Sequence, residues 1–300
     1  DCSHFIEDEL KNKHDFNSEF LARLNYLFIK KLRKYNYEVV KSFGRFENQS
    51  VDKAWFYGMK EFYPQTKIYG FQGFLYYPHL MNQSPSSSED ELGLLPNNII
   101  VTNKIAKINR LEFFNKAKIT LGPSLGKQKI FNKFKFSYKY KFVVALCGIK
   151  SIDEKLITWI DYSLMRDKTL QIIIKSHPNF SINNLKNFNR SVFNRCNIIN
   201  ENIDNLLKKT QILISSGPSG VIFESLIYGC KLFYLVLDPS DFLMFNNVPN
   251  KNKNYILIKN KFDLFNNIKI WKNKKLIKQE NNLRNLFFTK INNKNLKIFY

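Results

Sequence analysis

The chain has 300 residues, 44% of them hydrophobic, and a formal net charge of +22 carried mostly by lysine. That length builds one large or two ordinary domains with a real core; no apolar run reaches membrane-spanning length, and no signal peptide is visible. The lysine accompanies an excess of Asn, Ile and Phe, the bias of an AT-rich genome, and no RNA- or DNA-binding motif comes with it, so nucleic acid is not expected as a partner.

The chain begins at Asp1 rather than Met, as a fragment would. Cys2, Cys147, Cys196 and Cys230 show no C-x-x-C spacing, and Cys147 and Cys230 lie in apolar runs, which fits buried thiols and a reducing cytoplasm. Apolar residues at helical spacing (Phe20, Leu24, Leu27, Phe28, Leu32) predict a long helix over 5–37. A strand over 39–43 then opens into the loop Gly44–Ser50, and a helix over 51–63 stops before Pro64. A strand at 67–70 leads into Phe71-Gln72-Gly73, and residues 82–97 read as a polar loop with acids at Glu89, Asp90 and Glu91. Strand 98–102, helix 103–115 and strand 117–121 complete the first half. Over 127–141 Phe134, Phe136, Tyr138 and Tyr140 alternate with polar residues, read as a linker with an edge strand as the alternative.

The second half starts on the apolar strand 142–147 and Gly148. Helix 152–166, strand 170–175, a helix near 182–190, strand 197–200, helix 203–209, strand 211–215, helix 219–229 and strands 231–237 and 255–258 follow, with helices at the end. Alternating strands and helices predict parallel sheets covered by helices, and ligands in such sheets sit beyond the carboxyl ends of the strands. Two loops at such ends stand out. Lys175-Ser176-His177-Pro178 leaves one strand, and Ser215-Ser216-Gly217-Pro218-Ser219-Gly220 joins another to the helix that carries Glu224. Hydroxyls, glycines and a histidine in these places suit the phosphate of a nucleotide-sugar; neither a P-loop nor a dinucleotide fingerprint is present. The histidines His4, His14, His79 and His177 are scattered, so no metal site and no cofactor are expected.

The second half resembles the nucleotide-binding half of a GT-B glycosyltransferase. Its His177-Pro178 and Ser215-Ser216 pairing is similar to the His-Pro and Ser-Ser motifs of bacterial sialyltransferases and Kdo transferases that use CMP-sugars. The first half resembles bacterial capsule and lipopolysaccharide biosynthesis proteins, through Phe46-Glu47-Asn48-Gln49, Lys67-Ile68-Tyr69-Gly70-Phe71-Gln72 and Leu95-Pro96-Asn97-Asn98 in that order. Family members often carry a histidine after the Gln72 equivalent, where this chain has Gly73, and the acidic base motif of some sialyltransferases is not matched.

The resemblance implies an α/β, GT-B-like architecture of two doubly wound Rossmann-type domains facing a central cleft. They would be an acceptor-side domain over 1–126, a linker over 127–141 and a nucleotide-sugar-binding domain over 142–300. It implies a metal-independent glycosyltransferase that moves a sugar from a nucleotide-activated donor, a CMP-linked acidic sugar, onto a surface polysaccharide or lipopolysaccharide acceptor. Its site would comprise Glu47 as general base, His177 at the departing phosphate, and Lys175, Pro178, Ser215, Ser216, Gly217, Ser219 and Gly220 around the nucleotide. His79 and Asp52 are the rivals of Glu47 as base. Gln49 and Gln72 would lie on the acceptor side. Glu224 is either a ribose ligand or a surface carboxylate, and the serines and His177 have an alternative as helix and loop caps. Two other functions stay open, a teichoic-acid-type polyol-phosphate transferase and an inactive nucleotide-binding scaffold in polysaccharide export; a sugar-nucleotide 2-epimerase stands further off, because its acid/base carboxylates are not recognisable. Residues 251–300 hold thirteen Lys or Arg against two acids, which suits either a solvated tail or an anionic membrane surface on the cytoplasmic side.

Overall fold

The computed structural model describes residues 16–73, 83–132, 136–178, 180, 185, 188–238, 241, 244, 245, 248, 253–274 and 283–299. The readings at Cys2, His4, His14, His79 and Phe134 lie outside these residues, as does most of the helix expected near 182–190. The chain divides into two compact units, Asp1–Gly126 with Phe288–Tyr300, and Lys127–Phe287. The last thirteen residues thus group with the first unit, whereas the sequence placed them in the second.

In the first unit α1 (Phe16–Lys34) packs on α2 (Ser50–Phe62), and four parallel strands lie in chain order: β1 (Lys41–Arg45), β2 (Lys67–Gln72), β3 (Asn98–Val101) and β4 (Ile119–Leu121). The short α3 (Ser87–Glu91) and α4 (Lys104–Phe113) fill the later crossovers. The two-residue period of β2 turns Ile68, Gly70 and Gln72 inward, where Ile68 joins Ile29, Phe46, Phe56, Met59, Ile99 and Val101 in one core. Fully burying such side chains contributes about 1.5–3 kcal/mol each. Gly70 permits a close approach there, since a Cβ on it would lie 2.8 Å from Pro96 and 3.1 Å from Phe46. The opposite face carries Phe43, Tyr69 and Phe71; Phe299 stacks on Phe43 at 5.5 Å and tilts against Phe71 at 6.1 Å. Ser124 and Thr289 fix this terminal segment, the Thr289 N–H donating to Ser124 Oγ at 2.9 Å and its hydroxyl to the Thr102 carbonyl at 2.8 Å.

In the second unit six parallel strands take the order β10-β9-β8-β5-β6-β7. They are β5 (Tyr140–Ala145), β6 (Ile172–Lys175), β7 (Asn197–Ile199), β8 (Thr210–Ser215), β9 (Lys231–Leu235) and β10 (Tyr255–Ile258). Between them run α5 (Lys150–Arg166), α6 (Arg190–Arg195), α7 (Ile203–Lys209) and α8 (Val221–Ile227), with α9 (Lys261–Lys272) and α10 (Arg284–Phe287) after β10. All of β9 is buried, as a parallel strand covered on both faces requires; its apolar residues follow Lys231, whose ammonium donates to the Lys253 carbonyl at 2.9 Å. Leu156, Ile157, Ile160 and Leu164 project from α5 into a core with Phe142, Ile174, Ile212, Ile214, Phe233 and Ile258.

Several boundaries differ from the sequence reading. β1 starts at Lys41 and leaves Val40 78% exposed: Val40 has the parity of the buried Ser42 but lies in a bend ahead of the strand, so the alternation does not extend to it. Helix α3 lies inside the stretch read as polar loop, held by a capping box in which Ser86 accepts from the Glu89 N–H and Glu89 accepts from the Ser86 N–H. Leu125–Phe131 is a 3₁₀ helix, and Tyr140 and Lys141 already belong to β5 rather than to a linker.

Candidate functional site

From β5 the chain steps to β6 and β7 on one side, and from β8 to β9 and β10 on the other. The loops after β5 and β8 therefore part, opening a crevice at the carboxyl ends of these neighbours, where open α/β sheets hold ligands. A cavity of about 410 Å³ lies along these strand ends in the second unit. Lys127, Lys175, His177, Ser219, Gly220 and Glu224 line it, with Pro178 and the 200–203 loop.

The loop after β5 is clasped by Asp153, three residues into α5. Its carboxylate accepts the Cys147 and Gly148 N–H groups, both at 2.9 Å. Burial raises the Asp153 carboxyl above the usual carboxylate range, opposed by those two donors, the Cys147 thiol and nearby His177. Burial also pushes the Cys147 thiol up to about 12, so it is unreactive at neutral pH. Gly148 has φ +83°, and a Cβ there would sit 2.6 Å from His177 Nδ1, so His177 is seated directly against this glycine.

The histidine loop, Lys175 to Pro178, lines the cavity. Lys175 is the last residue of β6; its ammonium donates to the Ser176 carbonyl at 3.0 Å. Glu224 is 4% exposed, which removes the surface-carboxylate alternative, and it pairs with Lys127 Nζ at 2.6 Å. The serine turn divides. Ser219 and Gly220 line the cavity, but Ser215 and Ser216 do not. They are 0% and 1% exposed, and their hydroxyls donate to the Ala145 and Leu235 carbonyls at 2.9 and 2.7 Å. The reading of these two hydroxyls as phosphate ligands is corrected: both already brace strand ends. Gly217, at φ +69°, makes the turn itself, packed where a Cβ would be 3.1 Å from both Cys147 and Ile152.

In the first unit Glu47 lines a separate cavity of about 610 Å³ with Phe43, Arg45, Phe71, Leu125 and Phe299. It pairs with Arg45 and accepts from Gln49 Nε2 at 3.3 Å. Asp52 fixes this loop by accepting the Glu47 N–H at 2.7 Å and the Gln49 N–H at 3.3 Å; burial raises its carboxyl, against these donors. Gln49 is exposed and caps α2, so its position is explained by the helix start. Gln72 is fully buried, and its Oε1 accepts from Arg110 Nε at 3.0 Å. Its acceptor-side assignment is corrected on that ground: an inward residue of β2 is held in the core.

Lys127, Asp153 and the 200–203 loop were missed in the sequence. Only Asp153 had a signal, an acid in the first turn of a helix that follows a strand and glycine. Among the described residues no three His, Cys, Asp or Glu side chains cluster as metal ligands, and no helix is long and apolar enough to cross a membrane.

No protein-family model matches the sequence, and no curated protein does. Solved structures do resemble it. A Listeria monocytogenes protein assigned as a UDP-N-acetylglucosamine 2-epimerase has a TM-score of 0.54 at 14% identity, over 85% of this chain and 71% of that one. The S. aureus MnaA–UDP structure has 0.52 at 13% identity, over 84% and 70%. Arabidopsis thaliana UGT89C1 complexed with UDP has 0.55 at 10% identity, over 84% and 69%. With two parallel α/β sheets and these likenesses, the chain has a GT-B-like fold.

Proposed function

We propose that the chain is a GT-B-type enzyme that takes a nucleotide-activated sugar and transfers the sugar to an acceptor hydroxyl. The supporting observation is the second unit's cavity, which Lys175, His177 and the buried Glu224 line together. A carboxylate accepts both hydroxyls of a ribose, while ammonium and imidazole groups suit a phosphate. In the transfer step the acceptor oxygen bonds to the anomeric carbon, the bond from that carbon to the phosphate oxygen breaks, and the acceptor proton leaves to a base. Glu47 is the proposed base, and the cavity's cations offset the charge left on the phosphate. The nucleotide is read as a pyrimidine: the motif resemblance points to a CMP-linked acidic sugar, while two of the similar structures are named with UDP.

Thermal unfolding with CMP, CDP, UDP and GDP tests this. A nucleotide present at a hundred times its Kd adds about 2.7 kcal/mol of stability, visible as a rise of several degrees for the best pyrimidine nucleotide. If none raises the melting temperature, the nucleotide-site reading is lost. Turnover then separates the classes. A transferase frees the nucleotide from a CMP- or UDP-sugar, an epimerase changes the sugar while leaving it attached, and a scaffold does neither.

An anionic membrane surface is proposed as a second partner, consistent with a lipid-linked glycan acceptor. The basic excess over 251–300 motivates it, and α1 adds exposed Phe20, Leu24 and Phe28 beside Arg23, Lys30 and Lys31. The protein should sediment with phosphatidylglycerol vesicles at low salt and less at high salt, and not with neutral vesicles. Equal sedimentation with both would refute the electrostatic reading.

A further inference from the structure

Glu224 is the buried acid of the nucleotide-site cavity, and its counter-ion comes from an unexpected place. Lys127 lies in the 3₁₀ helix Leu125–Phe131, at a kink where its backbone leaves helical geometry (φ −122°, ψ 18°). Its ammonium reaches 2.6 Å from the Glu224 carboxylate. The two ends of this pair differ sharply in exposure: the lysine side chain is 41% exposed, the glutamate 5%. A carboxylate this buried is costly without a counter-charge or hydrogen-bond donors. Two other charged residues of the cavity have partners of their own. Glu201 is bridged by Lys209, and Lys175 donates to the Ser176 carbonyl. Lys127 is thus the cation in contact with Glu224, and it sits on the more mobile side of the pair, since an exposed four-carbon stem rotates at little cost.

We propose that Lys127 is the phosphate-sensing residue of this site and that its pair with Glu224 is a latch opened by a nucleotide. The proposal rests on the reading of the cavity as a nucleotide site. On entry of a nucleoside phosphate, the ribose hydroxyls donate to Glu224 and replace the ammonium, and the ammonium moves to the phosphate. Both charges remain compensated throughout. A nucleoside without phosphate breaks the pair and offers Lys127 no new partner, so it binds poorly. The latch therefore selects phosphorylated ligands through a residue outside both loops marked by the sequence motifs.

Calorimetric titration of the full chain with CMP and UMP, against cytidine and uridine, tests the latch. Wild type should prefer the better nucleotide over its nucleoside by about 100-fold or more. Lys127→Met should weaken nucleotide binding by about 10- to 100-fold while nucleoside binding holds or improves, so the preference collapses. Because Lys127→Met leaves a buried carboxylate alone, the double variant Lys127→Met with Glu224→Gln removes both charges together. It should keep the wild-type melting temperature to within a few degrees and show the same lost preference. A preference unchanged in both variants, or equal weakening of nucleotide and nucleoside, overturns the latch while leaving the nucleotide site standing. Failure of wild type to bind any of the four ligands overturns both.

Discussion

Gly148→Ala is expected to lower nucleotide affinity by about 30-fold or more and to cost about 2 kcal/mol of stability. Two effects combine. The residue has φ +83°, and a side chain in such a conformation costs about 1–2 kcal/mol. The added methyl would also lie 2.6 Å from Nδ1 and 2.8 Å from Cγ of His177, closer than carbon atoms approach. The backbone there is held by Asp153 through the Cys147 and Gly148 N–H groups, so His177 is the group that moves. It would swing away from the position in which it lines the cavity. Titration with the best nucleotide and a circular-dichroism melt measure the two effects separately. A variant that melts lower yet binds as well as wild type would show that the seat of His177 has no part in binding.

Arg110→Ala should be more damaging to stability, by about 3–5 kcal/mol. Arg110 is fully buried in the first unit. Its guanidinium donates to the Gln72 side chain at 3.0 Å and to the Gln83 carbonyl, and lies 4.8 Å from the Phe46 ring centre. Alanine removes the donors and leaves a void, while the Gln72 and Gln83 acceptors stay buried. Hydrogen exchange should show the loss as faster opening of β2, β3 and α4. Unchanged protection there would mean that water or neighbouring groups satisfy these acceptors without the arginine.

Gln72 and Arg110 also show how a core residue was taken for a site residue in the sequence. Alternation in Lys67-Ile-Tyr-Gly-Phe-Gln72 continues for six residues, and following it to the end turns Gln72 inward with Ile68 and Gly70. Reading a loop after Gly70 put the same side chain in reach of a ligand. The strands of the second unit were easier, because β5, β8 and β9 each hold a run of consecutive apolar or aromatic residues, 142–145, 212–214 and 232–235, with glycine or serine close behind the first two. Their loops accordingly singled out His177, Ser219 and Glu224, which line one cavity. Ser215 and Ser216 looked equivalent to Ser219, since a sequence lists hydroxyls without their directions. Lys127 could not be found at all. Its partner Glu224 is remote in sequence, and nothing in a lysine-rich linker marks one lysine over another.

The two braced serines have a consequence for how the cavity recognises anything. Ser215 ties the end of β8 to β5, and Ser216 ties the start of the turn to β9. Three strands are thereby joined at the rim of the crevice by bonds that exist before a ligand arrives. The turn beyond them enters binding already ordered, so little rotational freedom of the backbone is lost there on association. Adaptation falls instead to side chains at the edge. Selectivity in such a site is set by what can displace a few mobile charges, and its association rate by encounter rather than by slow refolding of loops.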